Sequence, residues 1–226
     1  MEKRQAELLK QIIKVYVRTA EPVGSLYLAQ KFGDVSSATI RNEMMELEEA
    51  GWIFQPHTSA GRVPTAKAFR FYVDNFVKAD RIDKTLEKNI LETVRQHEGE
   101  SAVKEAAKAV AELTEAAVIV AFSANQLYYT GLSYLFSQPE FQELSHITSL
   151  SQILDHCEEV VPQVLESLDN KKKILIGEEN PFGVECGFLV APLFGDQGMF
   201  GILGPLRMDY DRNIGLINSV QKILNK

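Results

Sequence analysis

The chain has 226 residues, 45% of them hydrophobic and 24% charged, with a formal net charge of −7, proportions that exclude a disordered or collagen-like chain and leave room for two or three small domains. Its longest apolar runs, Ala116 to Phe122 and Phe188 to Phe194, are seven residues each, far below the roughly 20 that cross a bilayer. The opening MEKRQAELLK lacks the apolar stretch and cleavage site of a secretion signal, so a cytoplasmic protein without a membrane partner is expected.

Between Lys3 and Thr19 the residues Leu9, Ile12, Ile13, Tyr16 and Val17 recur at helical spacing, until Pro22 and Gly24 break the run. Ser25 is placed to cap a short second helix that ends at Phe32 and Gly33. Asp34 to Ser36 turn into a third helix, capped by Ser36 or Ser37 and closed by Ala50 and Gly51. Trp52-Ile53-Phe54 and Arg62-Val63, parted by the polar loop Gln55 to Gly61, predict a two-stranded ribbon. Pro64 stands just before a fourth helix, capped near Thr65, whose stripe is Phe69, Tyr72, Val73 and Phe76.

The charged stretch Asp80 to Lys88 marks a boundary. Beyond it helices are predicted from Asp83 to His97 and from Ser101 to Glu115, parted by Gly99, and then a strand buried on both faces at Ala116 to Phe122. Further strands are expected at Leu127 to Leu135, Lys173 to Ile176, Cys186 to Leu193 and Met199 to Leu203, with a hairpin turn at Gly195 to Gly198. Helices are expected near Phe141 to Cys157, at Val160 to Leu168 and at Tyr210 to Leu224. The fold class is thus α+β. Its predicted parts are residues 1–78, a helical linker over 79–115 with candidate dimerisation helices, and residues 116–226.

Charge is unevenly spread. Residues 1–78 hold eleven Lys or Arg against nine Asp or Glu, leaving thirteen against twenty-two for the remainder. A polyanionic partner would therefore meet the N-terminal third, where His57, Arg62, Lys67 and Arg70 form a local basic patch. The order helix, helix, turn, helix, ribbon is that of a winged helix-turn-helix, which lays its third helix in the major groove. With Ile40, Met44 and Leu47 turned to the core, the other side of that helix carries Ser37, Ala38, Thr39, Arg41, Asn42 and Met45. Arg can bond guanine twice and Asn can pair with adenine, while Ala, Thr or Met can touch a thymine methyl. Glu46, Glu48 and Glu49 gather at the end that leaves the groove. The loop adds His57, Thr58 and Ser59, small enough to enter or straddle a minor groove, where Arg62 would be drawn in, and Lys67 and Arg70 can clamp phosphate.

Other signals point to ordinary structure. Cys157 and Cys186 form no Cys-x-x-Cys pair and read as buried thiols. His146, His156 and Cys157 lack metal-site spacing, and the glycines at 195, 198, 201 and 204 lead to no Gly-Lys-Ser/Thr. Glu178 and Glu179 are adjacent carboxylates without a matched nucleophile or base. No catalytic, metal or cofactor residue is expected, and the chain is not read as an enzyme.

The runs Val35 to Met44, Leu47 to Gly51 and Gln55 to Thr65 strongly resemble the heat-inducible transcription repressor HrcA family. So do Glu21 to Ser25, Phe69 to Asp74, Gly131-Leu132-Ser133, Gln138 to Phe141, Ile176 to Pro181 and Gly204 to Tyr210. The resemblance implies a dimeric repressor on an inverted-repeat double-stranded DNA operator upstream of chaperone genes, held active by the GroEL chaperonin, with a GAF-like C-terminal domain. One departure is large: Phe122 reaches Tyr128 in a few residues, where the family pattern inserts a long stretch with its dimerisation domain. The GAF-like part is therefore expected to be reduced, and the 83–97 and 101–115 helices become candidates for the dimer contact or for packing on the sheet. A ligand sensor controlled by a small molecule is the alternative. A protein-interaction module without DNA binding would gain if Arg41, Asn42 and Arg62 were buried or paired with Glu46 or Glu48.

Overall fold

The computed structural model describes residues 1–33, 35–78, 84–141, 155, 157–195 and 197–224. The predicted 141–157 helix, with His146 and His156, lies mostly outside the described residues, as do Asp34, Asp196 and the start of the charged boundary at Asp80. Two compact units result, Met1–Val77 and Lys78–Lys226.

The first unit begins with α1, Lys3–Thr19, which buries Leu8, Leu9, Ile12, Ile13 and Val15. Ala20 ends it in the left-handed conformation, its N–H donating back to Tyr16. Helix α2 spans Ser25–Phe32. Ser25 is its first helical residue and not its cap; that place belongs to Gly24, because Val23 is held extended by a backbone bridge to Arg62 and the chain turns directly after it. Helix α3, Ser37–Glu49, is capped by Ser36, whose hydroxyl accepts from the Thr39 N–H at 3.1 Å, and buries Ile40, Met44 and Leu47.

Strands β1 (Ile53–Phe54) and β2 (Val63–Pro64) pair Ile53 with Pro64 and Phe54 with Val63. Pro64, expected just before the fourth helix, stands there and is also the last ribbon residue. Helix α4, Ala66–Phe76, follows with Thr65 as cap, accepting from the Ala68 N–H at 3.3 Å, and sinks Ala68, Phe69, Tyr72 and Val73. Burying side chains of this size is worth about 1.5–3 kcal/mol each, which compensates a ribbon of only two residue pairs.

In the second unit, α5 (Lys84–Val94) and α6 (Gly99–Thr114) precede β3 (Ala117–Ser123) and β4 (Gln126–Thr130). The strand predicted through Leu135 stops at Thr130. Gly131 takes φ 78°, and a side chain there would lie 2.4 Å from the Ala116 carbonyl oxygen, so the chain turns and enters α7, Leu132–Phe136. Then come α8 (Cys157–Leu168), β5 (Lys173–Ile176), β6 (Cys186–Leu193), β7 (Gly198–Pro205) and α9 (Tyr210–Leu224).

The five strands form an antiparallel sheet in the order β4-β3-β7-β6-β5. Ala117, Ile119 and Ala121 of β3 join Phe188, Val190, Met199, Leu203 and the α8 residues Val161 and Val164 in one core. The alternate residues Val118 and Val120 point the other way, toward the side on which α6 packs. The alanines at 102, 106, 107 and 111 give α6 its buried face and let it approach the sheet closely. That apolar stripe is therefore consumed within the unit. Gly201 leaves the space filled by Phe188, whose ring atoms would stand 2.3 Å from an added Cβ.

Two distant motifs meet at one end of this sheet. Arg207 donates to both carboxylate oxygens of Glu140 and, at 2.7 Å, to Gln138 Oε1, while Gln138 donates to the Glu115 carbonyl. The Tyr210 hydroxyl donates to the Leu206 carbonyl at 2.9 Å, in space left by the missing side chain of Gly187. The Gln-Pro-Glu-Phe and Gly-Pro-Leu-Arg-Met-Asp-Tyr runs thus serve to join loops.

Candidate nucleic-acid interface

Helical spacing puts Ala38, Arg41, Asn42 and Met45 on the face of α3 opposite Ile40, Met44 and Leu47, and all four are exposed, Met45 to 47%. Among the described residues, the Arg41 and Asn42 side chains make no hydrogen bond or ion pair, leaving a guanidinium and an amide free to bond base edges. Thr39 is exposed too, with its hydroxyl 3.0 Å from that of Ser36 in the cap, so its methyl is the group left to offer. Ser37 is half-buried.

Two of the four carboxylates of α3 are paired with arginines. Glu43 pairs with Arg4 at 2.6 Å, Glu46 accepts from the Gln5 amide at 3.0 Å, and Glu48 pairs with Arg62 at 2.8 Å. Their negative field is thereby muted beside the outward face of the helix.

The loop between β1 and β2 is shaped by a residue whose role the sequence did not reveal. The Gln55 amide donates to the carbonyls of Thr58 and Ala60 at 3.0 and 2.9 Å, and the Ala60 N–H donates to His57. This internal bonding turns the side chains of His57, Thr58 and Ser59 outward, where all three are exposed. At the base of the loop, Val23 and Arg62 exchange two backbone hydrogen bonds of 2.9 Å, adding a third short strand to the ribbon. Gly61 makes this approach possible, since an added Cβ would stand 2.5 Å from the Val23 carbonyl carbon and oxygen.

Three predicted DNA contacts are directed elsewhere. Arg62, expected to enter a minor groove, is 16% exposed and donates through Nε and Nη2 to one Glu48 oxygen at 2.9 and 2.8 Å. Lys67 donates to the Ala50 carbonyl at 2.8 Å and stands 4.2 Å from the centre of the Trp52 ring. Arg70 pairs with Asp74 at 3.4 Å, one turn along α4. For Arg62 and Lys67 the cause is tertiary: the ribbon folds back on the end of α3, which offers a carboxylate and terminal carbonyls to cations, whereas the Arg70 pair is local to α4. The condition favouring an interaction module is thus met at Arg62, but not at Arg41 or Asn42.

Between α3 and the loop lies a cleft of about 340 Å³, lined among others by Ser25, Arg41, Thr58, Ser59 and Arg62. It brings the cation of α3 together with the hydroxyls of the loop. A separate open groove of about 510 Å³ in the second unit is lined by residues of α5, α6 and α9, including Asn89, Thr93, Glu112 and Arg212. Both thiols lie in the core, where burial pushes Cys157 up to about 11 and Cys186 to about 12. No described helix is long and apolar enough to cross a membrane.

Residues 68–214 match the family model described as the HrcA protein C-terminal domain. A heat-inducible transcription repressor HrcA from Thermodesulfovibrio yellowstonii is 48% identical over 96 residues, 42% of this chain and 28% of that protein. One from Clostridium perfringens is 40% identical over 121 residues, 52% of this chain and 36% of its own. In both cases the match spans about a third of the relative's length. The HrcA of Prosthecochloris aestuarii is 27% identical over 335 aligned positions covering 95% of this chain and 94% of that protein. Because those positions exceed the 226 residues here, more than a hundred of them have no counterpart in this chain. A crystal structure described as a hypothetical protein shares the fold, with a TM-score of 0.72 and 19% identity over 100% of this chain and 97% of that one.

Proposed function

The chain belongs to the HrcA family, and from that membership and the α3 face we infer that it is a sequence-specific DNA-binding transcription repressor of heat-shock genes. The first unit is a winged helix-turn-helix: α2 and α3 form the helix pair, α3 is the reading helix, and the β1–β2 ribbon is the wing. The observation that carries this reading is the exposed pair Arg41 and Asn42, without a side-chain partner among the described residues, beside the loop cleft on a helix where two of four carboxylates are paired with arginines. Arg41 and Asn42 read base edges, with Ala38, Thr39 and Met45 offering apolar contact. His57, Thr58 and Ser59 meet the adjacent groove or backbone, and the half-buried Ser37 stands at the helix start, where backbone amides face phosphate.

The operator is an inverted repeat bound by a homodimer, since a two-fold protein matches a two-fold site. The second unit is a reduced GAF-like domain that serves dimerisation and couples the repressor to the GroEL chaperonin, in the cytoplasm where the DNA lies. The sensor alternative draws on the 510 Å³ groove and differs in one respect: operator affinity would depend on an added small molecule.

Binding of the purified chain to an inverted repeat, a single half-site and scrambled DNA, at two salt concentrations and with light scattering, tests the proposal. Tight two-to-one binding to the whole repeat with steep salt dependence is expected. Equally weak binding to all three duplexes at both salts would sink it.

A further inference from the structure

A ribbon of two residue pairs cannot set the direction of its own loop. Three ties do so instead. The backbone bridge from Val23 to Arg62 anchors the descending strand, and Lys67 and Thr65 donate to the carbonyls of Ala50, Gly51 and Trp52 at the end of α3. The third tie is the ion pair from Arg62 on the ribbon to Glu48 in the last turn of α3. Among the described residues it alone links the two elements side chain to side chain through charge. With both donor groups on one carboxylate oxygen and 16% exposure, the guanidinium can turn to a phosphate only by leaving Glu48 half-buried and unpaired.

We propose that the Arg62–Glu48 pair is a latch that sets the angle of the loop to α3, making both residues positioning residues for base discrimination and not ligands of the DNA. The proposal rests on the DNA-binding reading above. Its physical content is geometric: the loop and α3 must meet one duplex at a fixed separation, and the pair holds that separation before DNA arrives, so less ordering remains for the complex.

The two possible roles of Arg62 predict opposite signs for Glu48→Gln. A latch predicts that the preference for a specific duplex falls, by about five-fold for a half-exposed pair. A phosphate ligand held back by Glu48 predicts tighter binding to every duplex, because a negative charge beside the DNA has gone and the guanidinium is free.

The probes are a duplex enriched by the wild-type chain from a randomised pool and its scrambled counterpart. The variants are Glu48→Gln, Arg62→Gln and the charge exchange that combines Glu48→Arg with Arg62→Glu. Amide hydrogen exchange at Val23 and Arg62 is read in parallel on each DNA-free chain. The latch predicts a lower duplex preference and faster exchange in both single variants, with the charge exchange restoring preference and protection. Tighter binding of Glu48→Gln to both duplexes, or unchanged amide exchange in it, overturns the latch. If the wild-type chain prefers no duplex, the DNA reading fails while the amides still decide whether the latch exists.

Discussion

Replacing Gly61 by Ala tests how the first unit is closed. An added Cβ would lie 2.5 Å from the Val23 carbonyl carbon and oxygen and 2.6 Å from the Pro22 oxygen, all backbone atoms that cannot swing aside. Relief requires the Val23–Arg62 bridge to open, with two hydrogen bonds of 2.9 Å worth about 1 kcal/mol each. Keeping it instead costs the strain of overpacking, about 1–3 kcal/mol. Either route gives a loss of about 1–3 kcal/mol, a large share of the roughly 5 kcal/mol at the lower end of domain stability. Trp52, the single tryptophan, sits at the base of the ribbon, so its fluorescence in urea reports this unit. With a slope of about 1 kcal/mol per molar, the midpoint should fall by about 1–3 M. Gly24→Ala, where nothing lies within 4 Å of the added atom, should cost less than about 1 kcal/mol. A fall of under about 0.5 M in Gly61→Ala would refute the account of the bridge.

Three more outcomes can be checked. Asn42→Ala should lower discrimination between an enriched and a scrambled duplex by about 1–3 kcal/mol while leaving the urea midpoint unchanged, as titration of both duplexes would show. Lys67→Ala should lower the midpoint by about 1 kcal/mol and alter Trp52 emission, since it removes the bond to Ala50 and the contact with the indole; an unaltered spectrum would return Lys67 to the phosphate-clamp role. Cys157 and Cys186 ionise near 9 when unfolded but only at about 11 and about 12 when folded. The native chain therefore holds more protons above pH 9, stability falls from there and the decline ends above about 12, and a Cys157→Ala, Cys186→Ala chain should show a shallower fall in midpoint.

Elements whose residues repeat with their own period were legible before the fold was known. Helices α1 and α9 announced themselves through apolar residues three and four apart, and β6 through an unbroken apolar run between turns. The reading face of α3 was legible for the same reason, because Ile40, Met44 and Leu47 fix which side is left over. What stayed hidden depends on residues far apart in the chain. Glu48 and Arg62 are fourteen positions apart, so nothing local distinguishes a latched arginine from one facing a phosphate. Val23 carries no local signal of its bridge to Arg62, and that bridge puts the cap at Gly24 where Ser25 was expected. Leu127 to Leu135 has strand composition throughout, and only the Ala116 carbonyl beside Gly131 explains why its second half coils.

The strand order of the second unit has a consequence for synthesis. Strand β3 sits between β4, its immediate successor, and β7, whose Met199 pairs with Ala121 seventy-eight residues upstream. On a ribosome adding roughly 5–20 residues per second, the Ala117–Ala121 segment waits on the order of 4–16 s for that neighbour, with one edge open and its apolar side chains uncovered. During that interval this strand is the part of the second unit most open to non-native pairing.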